Sequence, residues 1–111
     1  MKHLPIWRDA NQLLLEVEQA VRNFPRYHKY SVGTDLRKQS MGIVRLISRA
    51  YQAEGDRRQQ VRRLVFAVDD LKVLIQLTKE LRAFANFSQF QRISQLAVSV
   101  GKQSGSWLKK L

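Results

Sequence analysis

The chain has 111 residues, 44% of them apolar, which is enough for one domain with a real core over residues 1–111. It has no cysteine, which excludes disulfides, thiolate metal centres and cysteine nucleophiles, and no apolar run approaches the roughly 20 residues of a membrane-spanning helix. Twenty Lys and Arg against nine Asp and Glu leave a net charge of +11, which repels itself in a compact monomer and suits a polyanion or an acidic partner better than mere solubility. The start, Met1 to Asp9, reaches charge before any long apolar stretch forms, so no secretory signal is expected and a reducing, cytoplasmic setting is.

The two prolines and five glycines divide the chain into four helical segments. The first is expected from about Pro5 to Asn23, with Pro5 in the opening turn, Phe24-Pro25 as the stop, and Trp7, Ala10, Leu14, Val17 and Val21 facing inward. Residues 26–33 read as a loop. A second helix, capped by Thr34 or Asp35, runs to about Ala53 and buries Leu36, Ile43, Ile47 and Ala50. Gly55 is the expected C-cap and Asp56 the expected N-cap at the next break.

The third helix is expected from Arg57 to Phe84. Val61, Leu64, Val68, Leu71 and Ile75 form one apolar stripe, while Phe66, Val73, Leu77 and Phe84 fall on a nearly opposite face at 100° per residue. A helix apolar on two sides is covered on two sides, so this second face reads as an oligomer interface; a central helix of an irregular bundle is the alternative. The fourth helix begins near Ser88 and runs towards Lys110, with Ile93, Ala97, Val100, Ser104 and Trp107 inward. Gly101 and Gly105 either permit close helix approach or let the tail fray. No strand alternation is present. Short connections predict an all-α, antiparallel up-down-up-down four-helix bundle, which places Trp7 and Trp107 at the same end.

Catalytic constellations are missing. His3 lies in the expected frayed start and His28 in the loop, neither with a carboxylate or second His at helical spacing. Asp69 and Asp70 point about 100° apart on a helix, and Asp69 suits a pair with Lys72 at i,i+3. No Gly-rich phosphate loop occurs. No catalytic residue, metal or cofactor is expected.

The basic residues are better organised. Lys38, Arg45 and Arg49 project opposite the core stripe of the second helix, and Arg57, Arg58, Arg62 and Arg63 crowd the start of the third, where the macrodipole prefers anions. From Ala85 onward there is no acid, only Arg92, Lys102, Lys109 and Lys110. Arg26 and Lys29 alternate with Tyr27 and Tyr30, which could stack on unpaired bases or serve as half-buried loop anchors. No DNA-reading motif is present, so binding through charge and shape is expected.

Leu4-Pro5-Ile6-Trp7, then Phe24-Pro25-Arg26 and Tyr30-Ser31-Val32-Gly33-Thr34-Asp35-Leu36-Arg37, resemble the four-helix-bundle family that includes the 23S rRNA intervening-sequence proteins. With the ending Gly101-Lys102-Gln103-Ser104-Gly105-Ser106-Trp107-Leu108-Lys109, the chain resembles still more closely the accessory variability determinant (Avd) proteins of diversity-generating retroelements. The resemblance spans nearly the whole chain and rests on the order and spacing of short motifs. It implies a homopentameric, basic, non-catalytic subunit that binds the element's reverse transcriptase and template RNA, supporting adenine-mutagenised cDNA synthesis and retrohoming. The rRNA-associated branch usually has an Ala-rich second helix, which Gln39-Ser40-Met41-Gly42-Ile43-Val44-Arg45 lacks.

Two other classes remain open to the sequence. An oligomeric protein-binding adaptor, or an rRNA-type protein without a polymerase partner, would show a different response to salt. Membrane-surface attachment is disfavoured, because the basic residues are spread over several helices.

Overall fold

The computed structural model describes Met1 and residues 4–111; the reading of His3 as part of a frayed start lies outside the described residues. Helix α1 (Pro5–Arg22) begins on Pro5, whose fixed φ suits a first turn and whose missing N–H would have no helical partner there. Its buried line is Ile6, Ala10, Leu13, Val17 and Ala20, spaced alternately four and three, with Val21 beside it. This corrects the expected phase. Leu13 takes the core position assigned to Leu14, and Leu14 and Trp7 flank the line half-buried.

Residues 26–33 are not simply a loop. Pro25 heads a single turn, α2 (Arg26–Lys29), its carbonyl accepting from the N–H groups of His28 and Lys29 at 2.9 Å. Helix α3 (Val32–Gln52) then begins ahead of the expected Thr34 or Asp35 cap. Ser31 precedes it but caps nothing, because its hydroxyl donates to the Tyr27 carbonyl at 2.9 Å. Gly33 lets α3 start hard against α1. A Cβ there would lie 2.9 Å from Val21 Cγ1 and 3.1 Å from the His28 carbonyl oxygen. Gly33→Ala is therefore expected to destabilise the fold by about 1–3 kcal/mol through overpacking, despite alanine's better helix propensity. Urea denaturation checks this; an unchanged or raised midpoint would show that the contact relaxes freely.

Leu36, Ile43, Ile47 and Ala50 are buried as expected, joined by Ser40. Ala53, in extended conformation, closes α3; Gly55 is not the C-cap. Asp56 precedes α4 (Arg57–Glu80), yet its carboxylate accepts from Gln60 Nε2 at 2.9 Å and from no backbone N–H in the first turn. Val61, Leu64, Val68, Leu71 and Ile75 form the buried stripe of α4, as the periodicity requires.

The helix stops at Glu80, short of the expected Phe84. Arg82 adopts φ 60°, a left-handed conformation, and the Ala83 N–H turns back to the Thr78 carbonyl at 3.2 Å. The reversal buries Ala83 and carries Phe84 inward, edge-on to Phe24 at 5.4 Å and beside Phe90 at 5.8 Å. Burial of this aromatic cluster offsets the cost, on the order of 1 kcal/mol, of a left-handed arginine.

Helix α5 (Phe87–Lys109) starts one residue before the expected Ser88. Asn86 is its cap, accepting from the Gln89 N–H at 2.9 Å. Phe90, Ile93, Ala97, Val100 and Ser104 are buried, and Trp107 is half-buried. The helix continues through both glycines. At Gly101 a Cβ would meet Lys72 Nζ at 2.9 Å and Val68 Cγ1 at 3.4 Å, so this position permits close approach to α4; Gly105 has open space.

The structure is all-α, with no strand among the described residues and four long helices around one core. Helix α1 packs on α3 and α5, and α4 packs on the same two. Asp9 meets Ser99 and Gln103, Glu16 meets Arg92, and Glu18 meets Arg37. Early residues of one helix thus meet late residues of its neighbour, which is compatible with up-down-up-down order. Pro5 and Ile6, adjacent to Trp7, share a cleft with Trp107, so the start of α1 and the end of α5 lie together.

Candidate nucleic-acid and partner interface

The end that carries Trp107 gathers the start of α1, the end of α3, the start of α4 and the end of α5. Residues 4–13, 43–68 and 99–111 hold ten basic residues: Arg8, Arg45, Arg49, Arg57, Arg58, Arg62, Arg63, Lys102, Lys109 and Lys110. Three acids accompany them, Asp9, Glu54 and Asp56, whereas residues 14–42 and 69–98 hold nine basic and six acidic residues. The charge excess is therefore concentrated at one end. Among the described residues, the one ion pair of this half is Arg8 to Asp9 at 3.9 Å, with the arginine largely exposed. The other pairs, Arg37–Glu18, Arg92–Glu16 and Lys72–Asp69, belong to the opposite half. All ten basic residues are exposed. Exposed charges of one sign, close together and with few counter-charges, raise the local potential that draws a polyanion.

Arg57 has a structural task that sequence reasoning missed. Its Nε donates to the Ala50 carbonyl at 3.0 Å, and its Nη2 donates to the Tyr51 and Ala53 carbonyls at 2.9 and 2.8 Å. A cation at the N-terminus of α4 opposes the macrodipole, but the same cation lies at the C-terminus of α3, where the sign is favourable. Arg57 thus ties the α3–α4 turn. Arg58, Arg62 and Arg63 have no such hydrogen bonds and lie exposed along the first turns of α4.

The remaining candidates separate by place. Lys38 and Arg45 are exposed on α3 with Arg49, and Arg45 Nη2 approaches Met41 Sδ at 3.6 Å. Arg92 is drawn to Glu16 at 3.5 Å, which lowers its availability. Arg26 is exposed and Lys29 half-buried, both at the opposite end from the α4 arginines. Tyr27 and Tyr30 are 84% and 72% exposed, so neither is a half-buried anchor. His28 packs edge-on to Tyr27 at 5.3 Å and, among the described residues, joins no group of three or more ligating side chains.

On the outward side of α4, Phe66, Val73 and Leu77 are 65%, 60% and 48% exposed, and no other helix of this chain covers them. Phe84 does not belong to this face. The left-handed turn at Arg82 removes it to the aromatic cluster, and exposed Leu81 extends the face instead.

A family model for bAvd-like proteins matches residues 6–111. The chain belongs to the bAvd-like family. Among curated proteins, none matches it. The match spans all of α1 but its first residue and the whole of α2 to α5. Among its described residues, no group of three or more His, Asp and Glu could hold a metal, and no helix is long and apolar enough to cross a membrane.

Proposed function

We propose that this chain is a non-catalytic accessory subunit of a diversity-generating retroelement, an up-down-up-down bundle working in the cytoplasm. It binds the element's reverse transcriptase and template RNA and so supports mutagenic cDNA synthesis and retrohoming. Membership of the bAvd-like family supports the accessory role. The observation that carries the binding reading is the basic end, ten exposed cations against three acids with a single long ion pair. The polymerase performs the chemistry; this subunit supplies a cationic surface that holds the RNA and polymerase together. It assembles as a homo-oligomer, a pentamer by family likeness, with Phe66, Val73 and Leu77 in the seam.

A salt titration of RNA binding tests the reading. A surface that neutralises about six phosphates of single-stranded RNA is expected to lose affinity with a log–log slope of about −4. Co-purification with a retroelement reverse transcriptase is the companion result. A protein that ignores RNA at low salt but retains a protein partner would be an adaptor instead.

A further inference from the structure

At the basic end the four helix termini leave a cleft of about 760 Å³, within the size range of small-ligand sites. Ile6 of α1, Tyr51 of α3 and Trp107 of α5 supply its apolar lining, and Arg57, Lys102 and Lys110 its cationic lining. Among the described residues, no carboxylate lines it. The nearby Asp9 is engaged by Ser99 Oγ at 3.1 Å and Gln103 Nε2 at 2.8 Å, on the flank of α5.

We propose that this cleft seats one unpaired nucleotide of a single-stranded nucleic acid, its base against Trp107 and Tyr51 and its flanking phosphates on Lys102, Lys110 and Arg57. The inference rests on the polyanion reading above and adds to it a position and a chemistry. Indole and phenol rings offer flat apolar faces that stack on any base. Tyr51 keeps 40% of its surface exposed and Trp107 is half-buried, so both rings are open to a ligand. Arg57 is held by three backbone carbonyls, which fixes its charge at the cleft. A small amphipathic anion would be satisfied by these three cations alone. The further uncompensated cations of the same end match a chain of phosphates that enters and leaves the cleft. A duplex keeps its bases stacked inside and has none to offer.

The experiment is a fluorescence titration of the full chain carrying Trp7→Phe, which leaves Trp107 as sole tryptophan. The probes are an RNA octauridylate and an abasic ribose-phosphate octamer of the same charge. The octauridylate is expected to quench Trp107 and to bind about ten-fold more tightly than the abasic octamer. Tyr51→Ala, at an exposed position at the end of α3, should remove most of that advantage while leaving abasic binding unchanged. Equal affinities for the two octamers, with Trp107 emission unmoved, would overturn the cleft while leaving the polyanion reading intact. Binding of neither octamer at low salt would sink both.

Discussion

Reversing charge at Arg58 and Arg62 together, R58E with R62E, is expected to weaken RNA binding by about a hundred-fold at moderate salt. Two lost phosphate contacts should also flatten the log–log salt dependence by about 1.4 on single strands. The fold has no reason to suffer. Both side chains are exposed, among the described residues neither forms an ion pair or hydrogen bond that ties helices, and the first turn of α4 contains no acid. A glutamate at position 58, in that first turn, complements the macrodipole and should hold or slightly raise the melting temperature, by an increment of about 0.3–1 kcal/mol. Arg57 must be left in place, because its three bonds to the end of α3 would confound binding with stability. The two readouts thus move independently, RNA affinity down and thermal stability level or up. Unchanged affinity would remove this patch from the interface.

Assembly should fail when carboxylates enter the outward face of α4. Phe66→Glu with Leu77→Glu is expected to raise the dissociation constant of the oligomer by about a thousand-fold or more, since burying an ionised carboxylate in an apolar seam costs several kcal/mol. Within one chain both positions are exposed and lie off the buried stripe of α4, so helicity and that stripe should remain as they are. Sedimentation should then report single chains with unaltered far-ultraviolet circular dichroism. An oligomer that survives both substitutions would place the seam elsewhere. Phe84 is unsuitable for this test, because it packs edge-on against Phe24 inside the fold and its loss would unsettle the core.

Where helical phase was unambiguous, the residues alone sufficed. The stripe Val61-Leu64-Val68-Leu71-Ile75 of α4 reads off its spacing and is buried throughout. In α1 the run Leu13-Leu14-Leu15 offers three adjacent candidates, and only packing against α3 and α5 selects Leu13. The end of α4 was illegible for a different reason. No Gly or Asn marks the left-handed position, which Arg82 occupies because Ala83 and Phe84 gain a buried site by turning back. The start of α5 is legible in Asn86, a residue type that caps helices, two positions ahead of the expected Ser88.

The candidate site divides in the same way. That the chain carries a large excess of positive charge, has no cysteine chemistry and belongs among helical bundles follows from composition and periodicity, because both depend only on residue type and its spacing along a helix. That ten cations share one end, that Arg57 ties α3 to α4, and that Tyr51 and Trp107 face a common cleft were decided by tertiary structure alone. These residues come from segments separated by dozens of positions. Their proximity is a property of how four helices pack their buried stripes together, and local spacing holds no record of it.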